Sequence, residues 1–353
     1  MPDRPPASVI IVVFNGRQYL DDCLSSVIAQ LQPHDEIILV DNNSTDGSPD
    51  FIAGRFPQVT LVRQPQNGGF AQGCAVGVAH ATANLLVFLN QDTVVSPGWL
   101  EALLTPFHDQ RTGLTTSLIL LMSEPDHVHL AGQRLHYTGL VSSRGYRQTA
   151  QNWQHPAAVF SVSGASFAIR RTLWDQLGGL DPVFYMYYEE TDLCWRAALL
   201  GYPSLIIPSS IVYHDYQPGQ RGCDQSYYSF RNRYLLLLKN YRWHTLYLLL
   251  PALFLAESLD WAIALRSGWS GLRAKARANL WLITHYHDHI HVRRLIEPTH
   301  QVNDAIILAQ LQPTVLFYQH PFGKIGTALL AAFNLLFRLN YHFALALCRR
   351  FAW

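Results

Sequence analysis

The chain has 353 residues, a formal net charge of +1 and 14% charged residues, so its bulk electrostatics does not indicate a nucleic-acid partner. Its length allows one large domain with an appendage, and its 49% hydrophobic residues are many for a freely soluble enzyme. The five cysteines are scattered without a CxxC pair, which favours a reduced, cytosolic protein over a disulfide framework. No signal-peptide segment precedes the first predicted strand, so we do not expect secretion.

Up to about residue 215, apolar runs alternate with amphipathic stretches. The periodicity predicts helices over 19–29 and 70–80 and strands over 8–14, 36–40, 60–63 and 85–89, with a later strand that ends at His214. This alternation predicts an α/β fold with a Rossmann-like, mostly parallel sheet flanked by helices. Functional side chains of such sheets lie at the carboxyl ends of the strands.

Polar side chains follow several of the predicted strands. Asp41 follows the second strand, where it could accept a hydrogen bond from a nucleotide or simply form a turn. Asn67-Gly68-Gly69 follows the third strand and opens a helix whose backbone N–H groups could bind an anion. Asn90 and Asp92 follow the fourth strand and could bind a divalent cation or form an Asx turn. His214 ends its strand as Asp92 does, although a lone histidine is usually structural.

Three carboxylates stand together at the start of a later predicted helix. The aromatic segment 184–188 leads directly into Glu189, Glu190 and Asp192. Asp192 and Arg196 are four residues apart on that helix, so we expect them to pair and Asp192 to be structural. The two glutamates are then free for chemistry, and the adjacent helix N-terminus should keep Glu190 ionised near neutral pH.

Beyond about residue 225 no further strand is predicted, and long apolar segments take over. Segment 246–265 is nearly long enough to span a bilayer, which takes roughly 20 apolar residues. It carries Glu257 and Asp260, however, and an unpaired charge in the bilayer centre is costly. Segment 325–347 carries charged and polar residues too, so we do not expect either segment to span.

The segment 266–277 between them is basic and contains tryptophan, which suits a helix in the membrane interface beside anionic headgroups. We therefore expect residues 1–225 to form the α/β domain and residues 226–353 to form a helical appendage on the cytoplasmic face of the cell membrane, peripheral or monotopic. An ordinary helical subdomain and a true spanning helix are the alternatives. The histidines between 285 and 291 could bind zinc if helical, but a role at the interface is favoured.

Six motifs in the first half, over about residues 8–235, carry a resemblance to a known family. They are VVFNG (12–16), VDNNSTDGS (40–48), NGGFA (67–71), LNQDT (89–93), VSGA (162–165) and YEETDLCWR (188–196). In this order they resemble family-2 glycosyltransferases, specifically the rhamnosyltransferase-like or O-antigen type. That family has the GT-A fold.

The resemblance implies an inverting transfer of a sugar, rhamnose in this subgroup, from a nucleoside-diphosphate donor to a hydroxyl of a lipid- or polysaccharide-linked acceptor. It implies a divalent cation, Mg²⁺ or Mn²⁺, held by Asp92 and His214. By position it implies nucleotide-binding roles for Phe14, Asn15, Asp41, Asn67, Gly68, Gly69, Asn90, Arg231 and Arg233.

The resemblance also implies that Gly164 and Ala165 line the sugar and acceptor pocket. Glu190 stands at the position of the catalytic base, which is usually Asp, with Glu189 and Asp192 as the neighbouring candidates. A second departure is Asn90, which replaces the first Asp of the family's DxD motif. The alternative function is a non-catalytic GT-A scaffold for a membrane-bound polysaccharide assembly complex.

Overall fold

A computed structural model describes residues 4–216, 223–288, 293, 300–316 and 323–351. The described residues divide into two compact units. Unit 1 comprises Met1–Gln133, Ser143–Ala197 and Tyr202–Gln217, and unit 2 comprises Arg134–Ser142, Ala198–Gly201 and Pro218–Trp353. The predicted boundary between residues 225 and 226 falls inside a helix that begins at Cys223, and two short pieces of the first half belong to unit 2.

The strands, in chain order, are β1 Ala7–Val13, β2 Glu36–Asp41, β3 Thr60–Arg63, β4 Leu85–Asn90, β5 Thr93–Val95, β6 Leu114–Leu121, β7 Glu124–Leu130, β8 Gln133–Leu135, β9 Val141–Ser143, β10 Ala157–Val159, β11 Ser166–Arg170 and β12 Ser204–His214. The helices are α1 Leu20–Ile28, α2 Ser48–Arg55, α3 Gly69–His80, α4 Trp99–Leu104, α5 Arg171–Leu177, α6 Glu189–Leu199, α7 Cys223–Asn240, α8 Trp243–Arg266, α9 Gly268–Thr284, α10 Asp304–Leu308 and α11 Gly323–Phe351. The predicted helices and strands of the first half are confirmed. Strands β5 to β11 were not predicted from the sequence.

Unit 1 is built on one ten-stranded mixed sheet. Its strand order is β10-β12-β6-β11-β4-β1-β2-β3, with β5 added beside β12 and β7 beside β6. Strands β4, β1, β2 and β3 are mutually parallel, as predicted, so their carboxyl ends lie along one edge of the sheet. Strand β11 interrupts the parallel arrangement because it pairs antiparallel with both β4 and β6. The predicted mixed α/β fold is confirmed.

The sheet is buried on both faces, which explains why β1 is almost continuously apolar. Val9, Ile11 and Val13 point into the core that contains α1 and α4, whereas Ile10 points into the opposite core beneath α3. A strand whose successive side chains enter two cores has no solvent face to fill with polar residues. Each fully buried side chain of this kind contributes about 1.5–3 kcal/mol.

Unit 2 contains helices that enclose a network of buried charges. Arg233 on α7 donates to Asp260 on α8 at 2.7 Å. Lys275 on α9, which is fully buried, donates to Glu257 at 2.6 Å and to Asp260 at 3.4 Å. The two acidic side chains that the sequence analysis treated as unpaired are therefore paired, and Lys275 does not face headgroups as its basic segment predicted.

Two helices of unit 2, Trp243–Arg266 and Gly326–Phe351, have the length and composition of candidate membrane spans. In the most apolar 18-residue stretch of each helix, 28% and 22% of the stretch is buried, respectively. Core helices of soluble proteins can have the same length and composition. Of the histidines considered for zinc, His289 and His291 lie outside the described residues.

The predicted pairing of Asp192 with Arg196 on α6 is confirmed. An Asp192 carboxylate oxygen accepts a hydrogen bond from Arg196 Nε at 2.8 Å, and both side chains are buried. The Arg196 guanidinium also donates to the carbonyl oxygens of Leu177 and Gly179. Asp192 thus anchors α6, which is a structural role, and its candidacy as the base beside Glu190 stays a prediction.

We predict that Asp192→Ala lowers the free energy of unfolding of the protein by about 3–5 kcal/mol, because it leaves a buried guanidinium without its counter-charge. Urea denaturation followed by tryptophan fluorescence measures this loss. The control is Asp21→Ala, which removes a solvent-exposed pair with Arg55 and should leave the midpoint unchanged. A midpoint for Asp192→Ala equal to that of the control would contradict the anchoring role.

Candidate active site

The pairing of β5 with β12 brings Asp92 and His214 together. His214 is opposite Thr93 in the antiparallel ladder, and the Asp215 N–H donates to the Asp92 carbonyl oxygen at 3.0 Å. His214 Nε2 consequently lies 3.2 Å from Asp92 Oδ2. The histidine is buried, whereas 27% of the Asp92 side chain is exposed. The two residues predicted to hold a cation are therefore neighbours at one strand end.

The chemistry of this pair fits a divalent cation. Two ligands that each lie about 2.1 Å from one ion at right angles are about 3 Å apart, close to the observed separation. Among the described residues, no group of three or more His, Cys, Asp or Glu side chains could hold a metal. Asp92 and His214 would supply two ligands to such a cation, and phosphate or water oxygens could complete its shell, as is usual for Mg²⁺.

Gln91, which sequence reasoning missed, connects the ends of β1 and β4. Its side-chain oxygen accepts from the Phe14 N–H at 3.0 Å, and its Nε2 donates to the Phe14 carbonyl at 3.3 Å. The fit is close, since a Cβ atom at Gly16 would lie 2.2 Å from Gln91 Oε1. The backbone of Phe14 is thereby satisfied within the protein, and its side chain remains 45% exposed.

Asp41 and Asn15 hold the ends of β1 and β2 together. The buried Asp41 carboxylate accepts from the Ser44 N–H at 3.2 Å. Asn15 has a left-handed backbone with a φ of 48°, its N–H donates to Ser44 Oγ at 3.0 Å, and its Oδ1 accepts from the Thr45 N–H at 2.9 Å. These contacts make a rigid wall at the strand ends. Nucleotide binding by Phe14, Asn15 and Asp41 stays a prediction.

The glycine turn before α3 is required by the packing of the protein itself. Asn67 Oδ1 accepts from the Gly69 N–H at 2.9 Å. Gly69 has a φ of +80°, and a Cβ atom there would lie 2.3 Å from the Tyr185 carbonyl oxygen. The Gln72 side chain takes the corresponding space beside Gly68. The space that we expected a ligand to use beside these glycines is thus filled by the chain, and a nucleotide contact for Asn67, Gly68 and Gly69 stays a prediction.

The aromatic segment that leads into the carboxylates is strained. Tyr185, Tyr187 and Tyr188 have φ values of 65°, 65° and 75°. Bulky residues rarely adopt this conformation, which costs of order 1–3 kcal/mol each and is characteristic of functional sites. The Tyr188 carbonyl accepts the Asp192 N–H at 2.8 Å and so starts α6. The strained turn fixes where Glu189 and Glu190 enter the helix.

Glu190 lies between Gln133 and Gly164. Its Oε1 accepts from Gln133 Nε2 at 2.7 Å, and Gln133 Oε1 in turn accepts from Thr191 Oγ1 at 3.0 Å. A Cβ atom at Gly164 would be 3.6 Å from Glu190 Oε1, an ordinary van der Waals distance, so Gly164 lies directly beside this carboxylate. Gln133 is a second residue that sequence reasoning missed.

Burial dominates the protonation of both glutamates. It raises the pKa of Glu190, although hydrogen bonds from Gln133 and from backbone N–H groups act in the opposite direction. Burial and then the charge of Glu190 raise the pKa of Glu189 well above its ordinary value. Burial thus opposes the effect of the helix N-terminus, and the expectation that Glu190 is ionised near neutral pH stays a prediction.

A two-residue segment joins the carboxylate end of the site to the cation end. Gly164 is next to Glu190, and the Ala165 carbonyl accepts from the Asn90 N–H at 3.0 Å. The Asn90 carbonyl accepts from Thr93 Oγ1 at 2.7 Å, which closes the turn that carries Asp92. Residues far apart in the chain are thus linked by direct contacts.

Arg231 and Arg233 have partners within unit 2. The Arg231 guanidinium lies 4.5 Å from the centre of the Trp281 ring, and its Nε donates to Asn232 Oδ1 at 2.8 Å. Arg233 is held by Asp260, as described above. Both contacts serve the packing of the helices, and the diphosphate contact that the resemblance implied for these arginines stays a prediction.

Comparison with known proteins bears on the family and the fold. Residues 8–177 match the family model of glycosyl transferase family 2. The chain is 28% identical over 233 residues to polypeptide N-acetylgalactosaminyltransferase 11 of Xenopus tropicalis, a match that covers 60% of this chain and 38% of that protein. It is 26% identical over 233 residues to an N-acetylglucosaminyl-diphospho-decaprenol L-rhamnosyltransferase of Mycobacterium tuberculosis, covering 58% of this chain and 75% of that protein.

Among solved structures, the chain resembles GalNAc-T7 in a crystal structure with UDP, GalNAc and Mn²⁺. The TM-score is 0.58 at 20% identity, and the match covers 68% of this chain and 48% of that one. The mixed sheet of unit 1 has the GT-A fold. By the match to the family model, residues 8–177 form a domain of the glycosyl transferase family 2 type.

We predict that the carboxyl of Glu190 titrates above the ordinary glutamate value of about 4.3, and that Gln133→Leu moves this titration to still higher pH. The substitution removes a hydrogen bond that favours the ionised form, so a more alkaline solution is needed to ionise the acid. Carbon-13 NMR of glutamate-labelled protein, assigned with Glu190→Gln, measures both values. Gln154→Leu, at an exposed position, is the control. An unshifted titration in Gln133→Leu would contradict the assignment.

Proposed function

We propose that the protein is an inverting, metal-dependent glycosyltransferase. It moves a sugar from a nucleoside-diphosphate donor to a hydroxyl group of a lipid- or polysaccharide-linked acceptor. The observation that carries this proposal is the 3.2 Å approach of His214 Nε2 to Asp92 Oδ2, connected through Asn90 and Ala165 to the segment beside Glu190. One site then offers both a cation-binding pair and a carboxylate.

Asp92 and His214 would hold a Mg²⁺ or Mn²⁺ ion. When bound, the ion neutralises the charge that develops on the nucleoside-diphosphate leaving group. Asp92 supplies a charged oxygen that is partly exposed and can be reached from solvent. His214 is buried, so its ring is fixed in direction before any ligand arrives. Asn90, Asp41, Asn15 and the glycine turn form the nucleotide side of the site in this proposal.

Glu190 acts as the base in this proposal. It takes the proton of the acceptor hydroxyl while the hydroxyl oxygen attacks C1 of the donor sugar on the face opposite the departing diphosphate. The C1–O bond to the acceptor forms as the bond to the diphosphate breaks, so one displacement inverts the anomeric carbon. Gly164 and Ala165 leave room for the sugar and acceptor. The raised pKa of Glu190 makes its ionised form a stronger proton acceptor than an ordinary glutamate.

We propose rhamnose and a lipid-linked acceptor as the substrates, and the mycobacterial relative supports this choice. The mycobacterial relative is an L-rhamnosyltransferase whose name gives N-acetylglucosaminyl-diphospho-decaprenol as its acceptor. An acceptor of this kind lies in a membrane, so the enzyme that uses it must work at a membrane surface. Peripheral attachment to the cytoplasmic face, where nucleotide sugars are made, is therefore part of the proposal.

The helical unit supports membrane attachment. All but two of the large apolar side chains that are exposed among the described residues belong to unit 2, the exceptions being Phe14 and Met122. Between residues 245 and 265 of α8, every exposed side chain is uncharged, because Glu257 and Asp260 turn towards Arg233 and Lys275. A helix with such a face can bind at the boundary between the lipid headgroups and the acyl chains, because burial of its apolar side chains stabilises it there.

The test of the activity is Glu190→Gln assayed with Mn²⁺ against UDP-, GDP- and dTDP-linked sugars, rhamnose included, and a short-chain polyprenyl-diphosphate-linked N-acetylglucosamine. We expect kcat to fall by about 10²–10⁴, with the donor KM little changed, because the amide cannot take a proton. Product NMR reports the inversion. Glu189→Gln is the matched control. Normal turnover by Glu190→Gln would remove Glu190 from this role, and equal background rates for wild type and Asp92→Ala would favour a non-catalytic scaffold.

We predict that Leu250→Glu combined with Phe254→Glu detaches the protein from vesicles that contain phosphatidylglycerol. Each side chain contributes about 1.5–3 kcal/mol when fully buried, so losing both weakens partitioning more than tenfold. Co-flotation measures the bound fraction. The control is Ile306→Glu, a 48% exposed residue of α10 that is not on the α8 face. Equal binding of the double variant and this control would contradict attachment through α8.

A further inference from the structure

A second histidine lies directly behind His214. His129 Nδ1 is 3.1 Å from His214 Nδ1, and both side chains are buried. The His129 ring is stacked on Tyr216, with ring centres 4.2 Å apart, and meets Tyr146 edge to face at 6.3 Å. These two contacts fix the plane of the His129 ring. His129 has no part in the sequence motifs and was not among the predicted site residues.

An irregularity in the sheet directs His129 to this position. Ile119 of β6 pairs with Leu130 and the next residue, Leu120, pairs with Val128, so β7 has one extra residue at His129. Such a bulge turns a side chain out of the regular alternation of the strand, and bulges are enriched next to active sites. Because β6 also pairs with β12, the turned side chain reaches the end of β12 where His214 stands.

The short contact between the two rings restricts their tautomers. Two Nδ1 atoms 3.1 Å apart form a hydrogen bond only if one of them carries a hydrogen and the other does not, so one ring donates and the other accepts. A histidine binds a cation through a nitrogen that carries no hydrogen. If His214 Nε2 is a ligand beside Asp92, then its hydrogen stands on Nδ1 and points at His129, whose own hydrogen is on Nε2.

We propose that His129 is a positioning residue that makes His214 a cation ligand. His129 Nδ1 accepts the hydrogen bond of His214 Nδ1–H, and this leaves His214 Nε2 unprotonated and directed at the cation site beside Asp92. The inference rests on the metal dependence proposed above and goes beyond it by assigning the residue that sets the tautomer and orientation of the ligand. Partners of this kind typically change metal affinity 10- to 100-fold.

The experiment compares His129→Phe with His129→Asn in the full chain. Phenylalanine keeps a ring that can stack on Tyr216 but cannot accept a hydrogen bond, whereas asparagine places an amide oxygen near the former Nδ1. Mn²⁺ binding is measured from the electron paramagnetic resonance of free Mn²⁺, first with Mn²⁺ alone and then with UDP or GDP present. We expect about 10- to 100-fold weaker binding for His129→Phe and near-normal binding for His129→Asn.

A spectroscopic signature separates positioning from a merely structural role. Nitrogen-15 spectra of histidine-labelled protein with excess Mg²⁺, assigned with His214→Gln, should show His214 with its hydrogen on Nδ1 in wild type and in His129→Asn. In His129→Phe, the tautomer of His214 with its hydrogen on Nδ1 should no longer predominate. Unfolding midpoints establish that the variants are folded.

The outcomes distinguish this inference from the function on which it rests. Equal Mn²⁺ affinity for wild type and Asp92→Asn would overturn the metal site itself. Wild-type binding that depends on Asp92 but is unchanged in His129→Phe would overturn the role of His129 alone. The same conclusion would follow if His129→Asn, although folded, lost binding as completely as His129→Phe, because the acceptor would then not be what matters.

Discussion

The antiparallel pairing of the short strand β5 with the end of β12 is the constraint on which the site depends. It places Thr93 opposite His214 and so brings the Asp92 carboxylate to the histidine ring. A shift of register by one residue would turn His214 to the other face of the sheet, since side chains alternate along a strand. The Asp215 N–H, which donates to the Asp92 carbonyl, and the Ser96 N–H, which donates to Ile211, hold this register from both ends. The long pairing of β12 with β6 holds β12 in the sheet, so that these few hydrogen bonds can form.

At the carboxylate end of the site, burial raises the pKa of Glu189 and Glu190, and a hydrogen bond from Gln133 opposes this effect at Glu190. A carboxylate removed from water holds its proton more tightly, and two adjacent ones do so more strongly. Gln133, by donating to Glu190 Oε1, favours the ionised form at one of the two glutamates and not at the other. That difference divides the pair into Glu190, which can lose its proton, and Glu189, whose pKa is raised further. The strained tyrosines before α6 hold the pair at this depth.

Local patterns predicted the parts of the fold that depend on neighbours in sequence. The β1–β4 strands and the pairing of Asp192 with Arg196 follow from periodicity and from spacing along a helix. Gln91, Gln133 and His129 could not be predicted, because their partners lie 77, 57 and 85 residues away and an amide or imidazole carries no spacing signal. Strands β5, β10 and β11 were missed for the same reason, because they are only three to five residues long and pair with strands distant in sequence. Asp92 and His214 were predicted as cation ligands from their motifs at strand ends. Only the pairing of β5 with β12 explains why their side chains are neighbours.

The charged residues of the helical unit have other roles in the structure than those the sequence predicts. In the sequence, Glu257 and Asp260 oppose membrane insertion, Lys275 belongs to a segment suited to headgroups, and Arg233 resembles a phosphate ligand. In the structure these four residues form one network, buried except for the half-buried Glu257, and neutralise one another. Breaking such a network by removing one member is far more costly than the network is stabilising, so it fixes how α7, α8 and α9 pack. Because the charges turn inward, the exposed face of α8 is apolar. Contact of α8 with a membrane would therefore depend mainly on apolar burial, which salt does not screen as it screens surface charge.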